Sequence, residues 1–420
     1  MRKQMIIPVA ITTVLSFAIS SCKKEAANTS MQNDVISVAK TKAIKQEQVK
    51  KVHVSNLAEL YAAVNDVNNA GNLIEMAPGT YTLNATYPNS GRLEFQKDMQ
   101  LQGQEGHSER VIIDESLLPA ASFLTGTTRT GGIRMGRGAN VLAWVTLKGG
   151  TLAANAFSAI DTDLNSAETQ IGILHVTVLG NGGSIGIDIR NRRVDQAGRI
   201  IEAFLEDNDI SGVVTFLGPA IEIQNANNAS GSKITVDLKN NYLHDNRVGV
   251  GAFNNASNST VLNSRIDVAS HADRIERNGI GMYLGGGLAQ LSTIQSNGNA
   301  THVEMHGSSI TNNNPQPLPP ALQPGVGGVV PCGIHAFGGA SSTGGASGNL
   351  LTIKLWGCKV SENNGTDIYA FGAHSVSATP AGINNRLEIE LNGVSKKASV
   401  QATPSFPTEP AGTNTVSVIR

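Results

Sequence analysis

Four acidic residues, Asp161, Asp163, Asp188 and Glu222, stand with two arginines, Arg134 and Arg190, at intervals that a repeating fold would stack. Carboxylates brought side by side repel one another. The pattern therefore demands compensation, either from the arginines or from a divalent cation with a preference for hard oxygen ligands, such as Ca²⁺. Phe253, Tyr283, Phe337 and Phe371 form a second set, set in strand-like strings such as GIHAFGG (333–339) and DIYAFGA (367–373), with the ring in the outward position. Aligned rings on a sheet face can stack on the apolar faces of sugars. Alternatively the chain folds over them and they pack as an external core, and the strings alone leave both readings open.

Other combinations carry less chemistry. His302, Glu304 and His306 alternate on one strand face, but residues i and i+4 of a strand lie about 13 Å apart, too far to share a zinc ion. His244-Asp245, and His271 with Asp273, read as turn residues without a nucleophile beside them. No GxxxxGK[ST], HExxH or CxxC string occurs. Lys+Arg number 32 against Asp+Glu 33, which leaves no electrostatic footprint for nucleic acid.

The elements that must position these residues are short repeated strands. With 45 glycines, 15% charged residues and many Asn, Ser and Thr, the composition favours turns and strands over helices. Aligning GIRM, AIDT, GIDI, AIEI, GVGA, GIGM, GIHA and DIYA places Ile or Val at 133, 160, 187, 221, 250, 280, 334 and 368. The steps are 27, 27, 34, 29, 30, 54 and 34, so all but one equal a single solenoid coil, and the exception holds the Pro-rich insertion 315–331. A second column, ITVDL (234–238), THVEM (301–305), LTIKL (351–355) and LEIEL (387–391), repeats in step.

In this alignment the Ile position and the residue two further on face inward. One outward column is then Arg134, Asp161, Asp188, Glu222, Gly251, Gly281, His335 and Tyr369. The next is Gly136, Asp163, Arg190, Gln224, Phe253, Tyr283, Phe337 and Phe371. Asn246, Asn278, Asn313 and Asn363 fall at a turn and predict side-chain amides bonded from coil to coil.

Near the start of this repeat, Asn56 and Glu59 have capping-box spacing, and Leu57, Leu60, Tyr61, Val64 and Val67 mark one face of a short helix. The helix and the following NAGNLIEMAPGTYTLN resemble the N-terminal cap of right-handed parallel β-helix proteins of the pectin-lyase-like superfamily. The asparagine run resembles that superfamily's asparagine ladder. The resemblance implies an all-β chain, a single right-handed parallel β-helix over 51–396 with a short N-terminal capping helix, and a C-terminal tail or cap over 397–420. The resemblance is silent about activity, and it is the outward rings that point to contact with polysaccharide through an outer sheet face. Pectate lyases in this superfamily hold calcium with acidic residues on an outer sheet and abstract a proton with a nearby arginine. By that likeness Asp161, Asp163, Asp188 and Glu222 are cation ligands and Arg190 the base of a calcium-assisted polysaccharide lyase or epimerase. A non-catalytic structural or adhesive scaffold is the other alternative, because the fold by itself does not choose among these.

The first residues, MRKQMIIPVAITTVLSFAISSC, have a basic start, an apolar run and small residues before Cys22, the layout of an export signal. ISSC followed by KKE resembles the lipobox of bacterial lipoproteins. That likeness implies removal of 1–21, lipidation of Cys22, a polar tether over 22–50 and a place on a bacterial envelope membrane, the outer one; ordinary secretion is the alternative. Cys332 and Cys358 remain, to pair or to lie buried as thiols.

Overall fold

The computed structural model describes residues 49–420 except 126–127, 150–157, 163, 165, 181–184, 192–196, 215–217, 291–292, 314–331, 342–344, 364, 376–381, 396 and 406–412. The expected signal segment, Cys22, nearly all of the expected tether, Asp163 and the Pro-rich insertion lie outside the described residues.

Each coil needs its backbone N–H and C=O groups satisfied by the coils on either side, and parallel pairing does this along the whole solenoid. Most strands form three parallel sheets, here called A, B and C, of 12, 9 and 10 strands. A typical coil runs from Lys233–Lys239 in sheet A through Tyr242–His244 in sheet B to Val248–Ala256 in sheet C. The winding is right-handed, as connections between parallel strands are with few exceptions. Ile234, Ile266, Thr301, Leu351 and Leu387 are register partners in sheet A, so the second column of the sequence repeat is in step throughout. Parallel pairing continues through Val400–Ser405 in sheet C and Thr415–Ile419 in sheet A. Residues 397–420, expected as a tail or cap, thus carry two further strands.

The capping helix is Leu57–Asn65. Asn56 Oδ1 accepts the Glu59 N–H at 3.0 Å, the N-cap bond, and Glu59 Oε2 reaches back to accept the N–H of Ser55, the residue before the cap, at 2.7 Å. Its buried residues, Leu60, Tyr61, Ala63 and Val64, join the interior of the first coils; Val67, expected on the same face, lies beyond the helix and is exposed. Cys332 and Cys358 are both buried free thiols.

Three ladders of polar side chains lock one coil to the next. In the expected one, the Oδ1 of Asn278, Asn313 and Asn363 accepts the backbone N–H and side-chain amide of Asn246, Asn278 and Asn313 respectively, at 3.0–3.2 Å. A second runs through Asn299, Asn349, Asn385 and Asn414. The third joins Asn208, Asn241, Asp273 and Ser308, and there a carboxylate stands in an amide position. Asp273 Oδ1 accepts from the Asn241 N–H at 2.7 Å and the Asn241 side chain at 2.9 Å, while the Ser270 hydroxyl donates to Oδ2 at 2.5 Å.

Burial outweighs those bonds and raises the Asp273 pKa to about 6 from an ordinary 3.8. A raised folded-state pKa means that the carboxyl's contribution to stability is complete below pH 3.8 and lost as pH rises through about 6. Asp273→Asn is therefore expected to match the wild type below pH 4 and to exceed it by about 3 kcal/mol at pH 8, read from denaturant unfolding at both pH values.

Candidate functional site

Sheets A and B alternate buried and half-exposed residues along each strand, as sheets with one wet face do; Arg265–His271 is an example. Sheet C does not. Every residue of Ile187–Asn191, Pro219–Ala226, Val248–Ala256 and Cys332–Ser341 is buried, so its outer face is covered as well as its inner one. That covered face carries both sets of residues singled out in the sequence.

At its N-terminal end the expected column forms: Arg134, Asp161, Asp188 and Glu222 are successive register partners. Arg134 pairs with Glu94 on the preceding coil, and Arg92 donates to the same carboxylate at 3.3 Å. Arg190 Nε donates to Asp188 Oδ1 at 3.0 Å, and the other side of its guanidinium bonds Glu222. Gln224 donates to Glu222 at 2.5 Å, Asn255 to Gln224 at 3.4 Å, and Gln290 to Asn255 at 3.2 Å.

This geometry bears on both roles expected of the column. Burial alone would lower the Arg190 pKa, but Asp188, Glu222 and Asp161 outweigh it and push the pKa above its ordinary value, so the guanidinium is held in its protonated form between its carboxylates. The cation that compensates the stacked carboxylates is this arginine, and Asp188 and Glu222 are occupied by it. Among the described residues no three His, Cys, Asp or Glu side chains are placed to hold a metal ion, and Asp163 lies outside the described residues.

The aromatic half is also corrected. Val250 pairs with Met282 rather than Ile280, a slip of two residues from the sequence alignment. A two-residue slip leaves the same side chains inward, so the apolar alternation of GIGM cannot detect it. Tyr283 consequently falls between Gly251 and His335, and the next column reads Phe253, Gly285, Phe337, Phe371. Gly285 is required there: a Cβ at this position would lie 2.2 Å from Phe337 Cε2.

The rings do not form a platform of parallel faces. Phe253 and Tyr283 meet edge to face with centroids 5.8 Å apart, as do Tyr369 and Phe371 at 4.5 Å. Phe337 and Phe371 have no exposed surface, and with Val248, Ile280, Cys332 and Ala340 these aromatics make a second apolar cluster outside the main core. His335 sits among them, 5.3 Å from Tyr283 and 5.6 Å from His374, with no hydrogen-bond partner on either ring nitrogen. Burial, then His374, drives its pKa well below the ordinary imidazole value and keeps it neutral.

Two exposed constellations were missed by sequence reasoning. On sheet B, Tyr242 stacks on His244 at 4.1 Å with the Arg274 guanidinium 4.3 Å from the tyrosine centroid. His244 lies between Asp209 (2.9 Å) and Asp245 (2.6 Å), and Arg277 bridges Asp245 and Glu276. The chain gives a signal for it: Tyr242 and Arg274 each stand four residues before a ladder asparagine, and His244 and Glu276 two before. On sheet A, His271, His306 and Trp356 are register partners on consecutive coils. The imidazoles stack at 5.2 Å and 11°, and the indole continues the stack at 6.2 Å and 4°. His302, Glu304 and His306 do not converge; only Glu304 and His306 bond, at 2.9 Å.

Strand order, parallel register and the helix-plugged end together define a right-handed parallel β-helix. No protein-family model matches the chain, and no curated protein matches it in sequence. Solved structures of similar fold include a mannuronan C-5 epimerase A-module from Azotobacter vinelandii, at 13% identity and TM-score 0.33, covering 87% of this chain and 95% of that one. A pectate lyase (12%, 0.35, 87% and 80%) and a surface protein and adhesin of Streptococcus pneumoniae (10%, 0.29, 91% and 99%) are others. At such identities the likeness concerns the fold alone.

Proposed function

We propose that this chain contacts a linear polysaccharide along the outward face of sheet A, and that a lipid on Cys22 holds it at a bacterial envelope membrane. The observation that supports the reading is Trp356, the only aromatic among the exposed large apolar side chains of the described residues. It ends a column of flat rings that runs along the solenoid. Beside it, the outward columns Asp267–His302–Thr352–Glu388 and Ala269–Glu304–Lys354–Glu390 offer donors and acceptors at the coil repeat of about 4.8 Å, close to the length of one sugar in an extended chain. Aromatic surface flanked by polar hydrogen-bonding groups is the composition that sugar rings require.

The near balance of 32 basic and 33 acidic residues suits a neutral or mixed polymer better than a polyanion. The pairing of Arg190 with Asp188 and Glu222 weighs against the lyase or epimerase reading, and an adhesive scaffold without sugar contact is the reading that a binding test separates. On a glycan array the wild-type chain should retain a subset of polysaccharides, and Trp356→Ala should weaken that retention roughly tenfold or more with the fold unchanged by circular dichroism. Equal retention by both proteins, or none by the wild type, contradicts the reading. For the anchor, Cys22→Ser should move the protein from the membrane to the soluble fraction or leave it unprocessed. Fractionation identical to the wild type would remove the lipid from the proposal.

A further inference from the structure

We propose that the outer aromatic cluster of sheet C is acid-sensitive, and that protonation of His335 unfolds it locally while the solenoid beneath it stays wound. His335 has no exposed surface, and its register partners on both sides are aromatic, Tyr283 on the preceding coil and Tyr369 on the following one. Phe371 lies 5.9 Å and Phe337 6.3 Å away between ring centroids, so the imidazole is enclosed by rings. Neither of its ring nitrogens has a hydrogen-bond partner. Burying an imidazole without a partner for its N–H is costly for the neutral ring and far more so for the cation. An apolar side chain would avoid both costs, so what the histidine adds to this cluster is a response to pH.

The groups around His335 offer a cation no compensation. Tyr283 and Tyr369 face it from the neighbouring coils, His374 from the following strand, and Cys332 of its own strand belongs to the same cluster. Burial pushes both phenols and the thiol up, which keeps them uncharged. Asp367, which acts on Cys332, accepts instead from Ser399 and Asn363. Burial, then His374, holds the folded-state pKa of His335 well below the ordinary 6.5. With the folded value depressed, the stability that the neutral ring allows is complete above pH 6.5 and is lost as pH falls below it, up to about tenfold in the opening equilibrium per pH unit. The loss falls on the outer cluster because the two faces of these strands pack separately. Ile334, Ala336, Ile368 and Ala370 join the main core, whereas Cys332, Phe337 and Phe371 belong to the cluster outside it. The Asn313–Asn363 and Asn349–Asn385 bonds pin the flanking turns, so the outer side can open without unwinding the coils. This response is independent of the polysaccharide reading, which concerns sheet A and Trp356.

Two buried free thiols supply the readout, Cys332 in the outer cluster and Cys358 in the main core. The full chain in detergent is pulse-labelled with 4,4′-dithiodipyridine, which reacts with thiols in acid as well as neutral medium, at pH 7.5, 6.5, 5.5 and 4.5. Modification is read at each cysteine by peptide mass spectrometry, and each rate is divided by that of the same cysteine in the urea-unfolded chain at the same pH. Below pH 6.5 the Cys332 ratio should rise about tenfold per pH unit, roughly a hundredfold by pH 4.5, while Cys358 stays protected. His335→Met, with its fold checked by circular dichroism at pH 7.5, should flatten the Cys332 profile, because the thioether fills the space and takes up no proton. Should that variant fail to fold, His335→Phe serves the same comparison, and the wild-type profile is decisive by itself. A Cys332 ratio that does not rise in acid overturns the proposal, as does a rise shared by Cys358 or one retained in the folded His335 variant.

Discussion

Register between coils is the constraint on which the rest of this structure depends. A solenoid strand can slide against its neighbour without losing hydrogen bonds, and each slide re-addresses every outward side chain. The amide ladders remove that freedom. Asn246, Asn278 and Asn313 each tie a backbone N–H and a side-chain amide to the next coil at one fixed position, Asn363 ends the run by donating to Asp367, and all four ladder sites are wholly or largely removed from water. In a buried setting an unmade amide bond costs about 1–3 kcal/mol, so a slipped coil pays at several rungs at once. Columns such as Asp188–Glu222 or His271–His306–Trp356 exist only because those turns are pinned.

Pinned columns create an electrostatic problem, and the two halves of sheet C answer it differently. Toward the N-terminus the stacked carboxylates of Asp188 and Glu222 share the Arg190 guanidinium, with Gln224, Asn255 and Gln290 extending the network. Toward the C-terminus the outward positions turn aromatic and the face becomes a second apolar cluster around His335. Both halves are covered. The wet faces of the solenoid are those of sheets A and B, where charges are interleaved and half-exposed, as in the pairs Arg265–Asp267 and Lys233–Asp267.

Much of this was legible in the chain. The coil length, the sheet A column from Ile234 to Leu387, the capping box at Asn56 and Glu59 and the first asparagine ladder all follow from local spacing, and spacing survives folding. Three things were not legible for identifiable reasons. Ile280 and Met282 share a face, so apolar alternation could not say which of them pairs with Val250, and Tyr283 was placed one column too far. Whether an outward ring meets water depends on what the rest of the chain lays over it, and no window around Phe337 or Phe371 contains that information. The role of Arg190 depends on two acids, Asp188 and Glu222, of which one is a coil away in sequence and a single strand away in space. The exposed columns on sheets A and B were missed because His244, His271 and His306 were read within their own strands, whereas their partners lie on the next coil.

The division between a covered aromatic face on sheet C and an open one on sheet A can be measured in one experiment. Hydroxyl-radical footprinting of the folded chain, read by mass spectrometry, reports the solvent access of each ring. Trp356 and His306 should be oxidised rapidly, while Phe253, Tyr283, Phe337 and Phe371 stay protected until the protein unfolds. Oxidation of Tyr283 and Phe337 in the native state at rates comparable to Trp356 would contradict the covered face and restore sheet C as the open surface.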